Sequence, residues 1–271
     1  MPELPEVETT RRGVAPHVIG REITRVDVYD SRLRWPVPAS LPDVLTGQTV
    51  DSLQRRSKYL LFQLSRGTLL IHLGMTGSLR IYRDPPPRKT HDHLDLRFDP
   101  DVTLRYRDPR RFGAVLWLGA TPLSHPLLAK LGPEPFSRQF DAAYLHSITR
   151  PRRCAIKLAL MNNELVVGVG NIYANEALFR AGIRPTRAAN RVSRTRLESL
   201  VQAVRDTLEE AIAAGGSTLR DYVDSAGEPG YFQLNYFVYG RAGQPCRICA
   251  TPIRMLRQGA RATFFCPHCQ T

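Results

Sequence analysis

The stretch LDLRFDPDVTLRYR, which spans residues 94–107, carries the pattern that decides the fold of the first half of the chain. Apolar side chains alternate with polar ones at Leu94, Leu96 and Phe98, as along a strand that buries one face. A proline between two aspartates follows at residues 99–101 and is a turn signal. The stretch therefore predicts two short strands joined by a turn.

Short runs of the same kind recur on both sides of this stretch. The predicted strands cover residues 22–29, 49–56, 58–64, 68–73, 78–83, 94–98, 102–107 and 112–118. Several short strands at such spacing favour an antiparallel sandwich or barrel. Ahead of them, apolar residues three and four positions apart predict a helix over residues 3–14.

The length of 271 residues fits one large domain or two ordinary ones, at roughly 100–200 residues per domain. Prolines punctuate residues 119–151, so we expect a domain boundary in this segment. Glycine and proline cluster again within residues 217–231, where a mobile loop is expected.

The second half of the chain is predicted to be helical. A helix over residues 152–162 follows Pro151, a residue that suits the first turn. Asn171 is predicted to cap a second helix, which stops at Gly182. The capping-box pattern Thr-x-x-Glu at residues 195–198 predicts the start of a long helix, and two glycines end it.

The charge of the chain indicates a polyanionic partner. Lys and Arg number 38 against 25 Asp and Glu, which leaves a formal net charge of +13. Such an excess most often serves nucleic-acid binding, and a generic basic surface is the alternative. The sequence contains no apolar stretch near the ~18 residues of a membrane helix. Its first residues lack the apolar run of a secretory signal.

Four of the five cysteines have the spacing of a zinc site. Two Cys-x2-Cys pairs, separated by 16 residues, comprise Cys246, Cys249, Cys266 and Cys269. Two disulfides are the alternative, but nothing in the sequence indicates export. Four thiolate ligands leave no open position, so one zinc ion here would be structural. The fifth cysteine, Cys154, is expected to be a small core residue.

The first residues suggest covalent amine catalysis. Removal of Met1 before a small residue would leave Pro2 with a secondary amine, and α-amino groups titrate near 8. Such an amine can attack a carbonyl-like carbon to form an iminium, which favours a following elimination. Glu3 and Glu6 are close enough in sequence to supply a general acid. The alternative is an ordinary helix start without catalytic function.

Five segments taken together resemble the formamidopyrimidine-DNA glycosylase family. They are MPELPEVET at residues 1–9, HLGMTG at 72–77, DPRRFG at 108–113, GVGNIY at 168–173, and the four-cysteine ribbon with Arg261 between its pairs. Leu4 favours this family over the related endonuclease VIII-like branch, which typically has glycine there. Each segment alone would be weak, whereas their joint occurrence in order along the chain is specific.

The resemblance implies an α+β fold. It comprises an N-terminal β-sandwich with a leading helix, a helical domain with a helix–two-turn–helix, and a four-cysteine zinc ribbon. The expected division is a catalytic β-sandwich domain, a linker, a helical DNA-binding domain and a zinc finger, at residues 2–120, 121–150, 151–235 and 236–271.

The resemblance also implies a bifunctional repair enzyme. It would excise 8-oxoguanine and formamidopyrimidines from duplex DNA and then cut the abasic strand by β- and δ-elimination. In this interpretation Pro2 attacks the deoxyribose C1′, Glu3 is the acid that assists sugar opening, and Glu6 supports the site. Lys58 and Arg261 are catalytic-site cations that contact phosphate. Without the resemblance, Lys58 would be interpreted as a solvated strand lysine.

Further residues are expected to contact DNA. Three of them, Met75, Arg110 and Phe112, would enter the duplex when the damaged base leaves the stack; a core position is the alternative for Met75 and Phe112. The resemblance makes His72 and Asn171 phosphate contacts, whereas the residues alone suggest a sheet histidine and a helix cap. It makes Lys157 a contact to the damaged nucleotide rather than part of a solvated helix face.

Two more expected DNA contacts are Arg152 and Tyr239, and residues 217–231 match the family's base-covering loop. In that loop Ser217, Thr218 and Tyr222 are candidates for binding the extruded purine. Asn162 and Glu164 depart from the usual family pattern, which affects the expected affinity more than the reaction.

Two rival functions stay open at the level of sequence. One is an endonuclease VIII-like glycosylase for oxidised pyrimidines, and the other is a non-catalytic zinc-ribbon DNA-binding protein. The expected partner is damaged double-stranded DNA, with a monomeric protein and no membrane. The expected location is the cytoplasm of a bacterium, in association with the nucleoid.

Overall fold

Two units make up the structure, a computed structural model that describes residues 2–217 and 230–271. The first unit comprises Met1–Ala129 and Ala214–Tyr231, and the second comprises Lys130–Ala213 and Phe232–Thr271. Among the described residues no helix is both long and apolar enough to cross a membrane.

The first unit contains a leading helix and eight strands in its described residues. Its helices are α1 (Leu4–Val18), α2 (Leu41–Leu45) and the short α3 (Pro126–Ala129). Its strands are β1 (Ile23–Val28), β2 (Val50–Arg56), β3 (Tyr59–Leu64), β4 (Gly67–His72), β5 (Ser78–Tyr82), β6 (Asp92–Phe98), β7 (Val102–Arg107) and β8 (Ala114–Gly119). All eight predicted strands are confirmed to within two residues at either end, because alternation and turn signals are local properties of the sequence.

These strands form two antiparallel four-stranded sheets, in the orders β1-β6-β7-β5 and β2-β3-β4-β8. The core comprises apolar side chains from both sheets and from α1, among them Val14, Leu60, Leu69, Leu96 and Leu104. The expected α+β fold with an N-terminal β-sandwich is therefore confirmed.

The polar face of the stretch quoted first is buried as well. Asp95 on β6 has no exposed surface, and its carboxylate accepts two 2.8 Å hydrogen bonds from Arg105 on β7. Burial of a carboxylate requires such charge-assisted partners. The strand alternation therefore separates two buried environments rather than a core from solvent.

The second unit contains four helices and a two-stranded ribbon in the part of the chain that the structure describes. The helices are α4 (Ala142–Thr149), α5 (Ile156–Leu160), α6 (Asn171–Arg180) and α7 (Arg194–Ala213). The ribbon strands are β9 (Arg254–Gln258) and β10 (Arg261–Phe265), which pair antiparallel.

The helix predicted over residues 152–162 is shorter than expected. Only Ile156–Leu160 is helical, and Pro151 follows the end of α4 instead of opening α5. The backbone between them pairs with a distant segment, since Ala189 donates its N–H to the carbonyl of Cys154 at 2.8 Å. This pairing keeps the segment extended and exposes Cys154, so the core position expected for this cysteine was wrong.

Two helix starts also differ from the prediction. Gly170 is the N-cap of α6, and Asn171 is the first helical residue. The long helix α7 begins before Thr195, and Ser193 accepts the Arg196 N–H at 3.4 Å through its hydroxyl. The predicted stop of α6 is confirmed, because Gly182 follows it with a left-handed φ of +65°.

Candidate active site and nucleic-acid interface

The N-terminal turn of the first unit buries two carboxylates beside Pro2. Pro2 is buried, and Glu3 and Glu6 expose only 3 % and 2 % of their surface. One oxygen of Glu6, Oε2, accepts the backbone N–H of Glu3 at 2.7 Å. The other, Oε1, accepts the backbone N–H of Ser217 at 2.8 Å. The carboxylate of Glu6 thus joins the turn that carries Pro2 to a segment remote in sequence.

Two glycines allow this approach. A Cβ on Gly216 would lie 3.0 Å from Cγ of Glu6, and Gly216 has a left-handed φ of +83°. A Cβ on Gly230 would lie 2.4 Å from the carbonyl oxygen of Gly216. The candidate base contacts Thr218 and Tyr222 lie outside the described residues, as does most of the loop expected there, whereas Ser217 is described and buried.

Lys58 lies in the two-residue turn between β2 and β3 and is only 8 % exposed. The preceding residue, Ser57, has a left-handed φ of +57°, and its carbonyl accepts a 2.9 Å hydrogen bond from Arg55. The alternative of a solvated strand lysine is therefore excluded.

The register of the sheet that contains β3, β4 and β8 places further candidate site residues close to Lys58. Tyr59 pairs with His72, and His72 pairs with Ala114. The turn of Lys58, the residues that follow His72 and the residues that precede Ala114 therefore lie together. Met75 and Phe112 belong to these last two segments.

His72 is a neutral hydrogen-bond donor. Burial, followed by the positive charges of Lys58 and Arg34, lowers the pKa of His72 to about 4. The Gly74 N–H donates to Nδ1 of His72 at 3.3 Å, so the proton of the neutral ring lies on Nε2. An imidazole N–H of this kind can donate to a phosphate oxygen without carrying charge.

Asp108 fixes the two segments that carry the duplex-inserting candidates. Its Oδ1 accepts the hydroxyl of Thr76 at 2.7 Å, and its Oδ2 accepts the N–H of Gly113 at 2.8 Å. A Cβ on Gly74 would lie 2.5 Å from the carbonyl carbon of Phe112, so these segments are in close backbone contact. Asp108 is the first residue of the DPRRFG segment, a pattern that does not by itself indicate this role.

The exposed ends of these segments present Arg110 and Phe112. Phe112 is 42 % exposed, which excludes the core position that was its alternative. The guanidinium of Arg110 lies 4.8 Å from the centroid of the Phe112 ring. Met75 is half-buried. A thioether, a guanidinium and an aromatic ring thus lie on two segments that the Asp108 carboxylate joins.

In the second unit, Arg261 is exposed at the start of β10. The carbonyl of the next residue, Ala262, accepts hydrogen bonds from Lys157 at 2.9 Å and from Asn171 at 3.1 Å. Lys157 has no exposed surface. The burial of Lys157 excludes the solvated helix face, and its contact with the damaged nucleotide stays a prediction.

Tyr239 is positioned by a residue that the sequence did not reveal. The buried carboxylate of Glu176 accepts the N–H groups of Phe237, Val238 and Tyr239 at 2.8, 3.0 and 2.8 Å. Burial raises the pKa of Glu176, and the three N–H groups oppose that rise. The half-buried ring of Tyr239 packs edge-on against Phe264 of β10, with centroids 5.2 Å apart.

Arg152 is half-buried, and its guanidinium donates to the carbonyl of Ile148 near the end of α4. A basic side chain there stabilises the exposed carbonyls of a helix C-terminus. The structure thus gives Arg152 a local partner, and its contact with DNA stays a prediction.

The four ribbon cysteines fit a tetrahedral metal site. Their Sγ atoms all lie within 4.8 Å of one another. The Cys249–Cys269, Cys249–Cys266 and Cys246–Cys269 separations are 3.4, 3.5 and 3.9 Å. Zn–S bonds of about 2.3 Å in a tetrahedron place sulfurs about 3.8 Å apart, whereas a disulfide requires about 2.05 Å. The cluster therefore binds one structural zinc, and the disulfide alternative is excluded.

Comparison with known proteins identifies the family. Residues 1–115 match the formamidopyrimidine-DNA glycosylase N-terminal domain, residues 131–223 match the H2TH domain of the same enzyme, and residues 243–271 match a zinc finger found in FPG and IleRS. The chain is 59 % identical to the formamidopyrimidine-DNA glycosylase of Paraburkholderia phytofirmans and 55 % identical to that of Methylococcus capsulatus, with 100 % of each chain covered.

The chain belongs to the formamidopyrimidine-DNA glycosylase family. Solved structures of this family agree with its fold. A complex of a Lactococcus lactis FPG mutant with DNA containing Fapy-dG matches with a TM-score of 0.92 at 34 % identity and 100 % coverage of both chains. The Thermus thermophilus protein matches with a TM-score of 0.87 at 40 % identity, over 99 % of this chain and 98 % of that one.

Membership of the formamidopyrimidine-DNA glycosylase family makes this chain a DNA-binding glycosylase of base-excision repair. Apurinic-site lyase activity is typical of the family. The resemblance stated from five sequence segments is thereby confirmed. The rival interpretation of a non-catalytic zinc-ribbon protein is excluded.

Proposed function

We propose that this family member excises oxidised purines from duplex DNA with Pro2 as its nucleophile. It then cuts the abasic strand by β- and δ-elimination. The observation that carries the proposal is the buried N-terminal turn, in which Pro2 is followed directly by the buried carboxylate of Glu3. Glu6 supports this turn through its bond to the Glu3 N–H.

The chemistry begins after removal of Met1. The lone pair of the Pro2 nitrogen attacks the deoxyribose C1′, and the damaged base leaves with the electrons of the glycosidic bond. The Pro2 nitrogen then releases its proton, which the departing base takes up. Glu3 supplies a proton to the ring oxygen O4′ as the C1′–O4′ bond breaks, which yields an open-chain iminium. Loss of a C2′ proton then expels the 3′ phosphate, and loss of a C4′ proton expels the 5′ phosphate.

The first unit supplies the residues that extrude and replace the base. Lys58 and the neutral His72 hold phosphate near the lesion, the ammonium by charge and the imidazole by its Nε2–H. Met75, Arg110 and Phe112 fill the gap left in the stack, and Arg110 bonds the unpaired base. Asp108 positions these three through Thr76 and Gly113.

The second unit supplies phosphate contacts from Arg261 and Asn171, with Arg152 and Tyr239 as further contacts. The zinc holds the ribbon from which Arg261 extends. We also propose that the protein acts as a monomer in the bacterial cytoplasm, at the nucleoid, with no membrane association. The division at residues 2–120, 121–150, 151–235 and 236–271 belongs to this proposal.

The choice of lesion rests on relatives. Structures have been solved of a Lactococcus lactis FPG mutant with DNA containing Fapy-dG and of the Lactococcus lactis enzyme with DNA containing an abasic site. These complexes support oxidised purines as substrates and an abasic intermediate. A complex of the same enzyme with DNA containing an oxidised pyrimidine favours, as a second candidate, a range that includes oxidised pyrimidines.

Borohydride trapping tests the proposal. The protein is incubated with a duplex containing one 8-oxoguanine opposite cytosine, reduced, and analysed by intact mass and peptide mapping. We expect a covalent adduct on Pro2 in the wild-type protein. In Pro2→Gly we expect both the adduct and efficient excision to be lost. An undamaged duplex is the control. Near-normal turnover of Pro2→Gly would contradict the nucleophile assignment.

A further inference from the structure

Lys157 is a fully buried cation that donates hydrogen bonds to two uncharged oxygens. Its Nζ donates to the carbonyl oxygen of Ala262 at 2.9 Å and to the hydroxyl of Thr263 at 2.8 Å. Burial of a charge is costly unless hydrogen bonds compensate for lost water. These two acceptors lie on consecutive residues of β10, so Lys157 holds the start of this strand.

The acceptors lie directly after Arg261. The Ala262 carbonyl also accepts Nδ2 of Asn171 at 3.1 Å, so donors from α5 and α6 meet on one oxygen. The Thr263 hydroxyl in turn donates to Oε1 of Gln258 at 3.1 Å, and Gln258 pairs with Arg261 across the ribbon turn. The bonds of Lys157 therefore fix both sides of the turn that carries Arg261.

We propose that Lys157 is a positioning residue, which holds the start of β10 so that the exposed Arg261 meets one DNA phosphate. This inference rests on the phosphate contact of Arg261 in the proposed function. An exposed arginine can adopt many rotamers, and only part of that freedom is removed by a fixed backbone. Without the buried ammonium, the Ala262 carbonyl loses a charged donor and the turn gains freedom.

The proposal differs from a direct contact in what the substitution should change. A lysine that touches the damaged base would matter only when that base is present. A lysine that positions Arg261 matters equally on a duplex with no base at the site. It also has no effect once Arg261 has been removed.

A double-mutant cycle separates these cases. Binding of the full-length, zinc-loaded protein to a duplex with a tetrahydrofuran abasic analogue is measured against salt for wild type, Lys157→Met, Arg261→Ala and the double variant. Arg261→Ala should lower the slope of log K against log salt by about 0.9, the value for one phosphate. Lys157→Met should show most of the same loss, and the double variant should lose no more than Arg261→Ala.

Lys130→Met is the matched control, since it removes an exposed lysine from the same unit. The proposal would be overturned if the losses of salt slope from the two substitutions added in the double variant. It would also be overturned if Lys157→Met kept the wild-type slope. Zinc content and thermal unfolding check the ribbon. If Lys157→Met loses zinc, the cycle is repeated with Thr263→Val. This variant should also have a lower salt slope than the wild type, and it should lower the slope no further when Arg261 has already been replaced by Ala.

The proposed function is tested separately. Failure of the wild-type protein to excise 8-oxoguanine would reject the proposed substrate without affecting the binding cycle. A wild-type slope in Arg261→Ala would reject the phosphate contact and, with it, the positioning role of Lys157.

Discussion

The carboxylate of Glu6 accepts the backbone N–H of Ser217 at 2.8 Å across 211 positions of sequence. Its second oxygen accepts the N–H of Glu3 at 2.7 Å. Glu6 therefore contacts both the turn of the proposed nucleophile, Pro2, and the start of the segment that sequence analysis matched to the family's base-covering loop. A substitution that weakens one of these two hydrogen bonds should therefore also weaken the other.

Substitution of Glu6 by Gln tests this link. The amide keeps one acceptor and places an N–H₂ donor against one of the two backbone N–H groups. A buried donor left unsatisfied costs about 1–3 kcal/mol. We expect a single-turnover excision rate that is lower by about tenfold or more, and a lower melting temperature. The exposed Glu22→Gln is the control, and a wild-type excision rate for Glu6→Gln would show that the link has no catalytic consequence.

Asp108→Asn should uncouple the two segments that carry Met75, Arg110 and Phe112. The amide can still accept from Thr76 but opposes the Gly113 N–H with a donor of its own, again at a cost of about 1–3 kcal/mol. We expect weaker unstacking of the duplex, measured by 2-aminopurine fluorescence next to the lesion site. Asp51→Asn, an exposed substitution in the same unit, should leave the signal unchanged. An unchanged signal in Asp108→Asn would mean that the segments hold their shape without this carboxylate.

Local patterns in the sequence were sufficient for the strands and for the metal site. The alternation at Leu94, Leu96 and Phe98 and the spacing of the cysteines both depend on near neighbours. The features that the sequence did not predict depend on contacts between residues far apart in the chain. The extended segment before α5 is fixed by pairing with the residues around Ala189, and the burial of Lys157 depends on a ribbon 105 positions away.

The candidate site shows the same difference between residues that local sequence indicates and residues that depend on long-range contacts. The zinc ligands were predicted from their spacing alone. The catalytic roles of Pro2 and Glu3 rest on the family resemblance together with the chemistry of a terminal amine, and they stay predictions. Glu176 could not be found in this way, since its role depends on three N–H groups of a segment about 60 residues further along. Asp108 gave a weak signal, because an aspartate close to a proline and a glycine also suits an ordinary turn.

His72 should make stability depend on pH. Its pKa of about 4 in the folded protein lies below the ordinary value of 6.5. As the pH falls, His72 therefore takes up a proton in the unfolded chain before it does so in the folded protein. The contribution of neutral His72 to stability is complete above pH 6.5 and is lost progressively down to about pH 4. We expect the free energy of unfolding to fall by up to about 1.4 kcal/mol per unit in this window, relative to His72→Gln. Parallel curves for wild type and His72→Gln from denaturant unfolding would contradict the depressed pKa.

Removal of zinc should weaken DNA binding by the second unit. The four thiolates belong to a small apolar cluster with Phe179, Val238 and Ile253, which cannot stay packed when the thiolates repel one another. We expect chelation under denaturant-free conditions to release one zinc per chain and to weaken affinity for abasic-analogue duplex by at least the loss seen in Arg261→Ala. Affinity should return when zinc is added back, with magnesium as the control ion. Full affinity in protein shown to be metal-free would remove the ribbon from the DNA-binding surface.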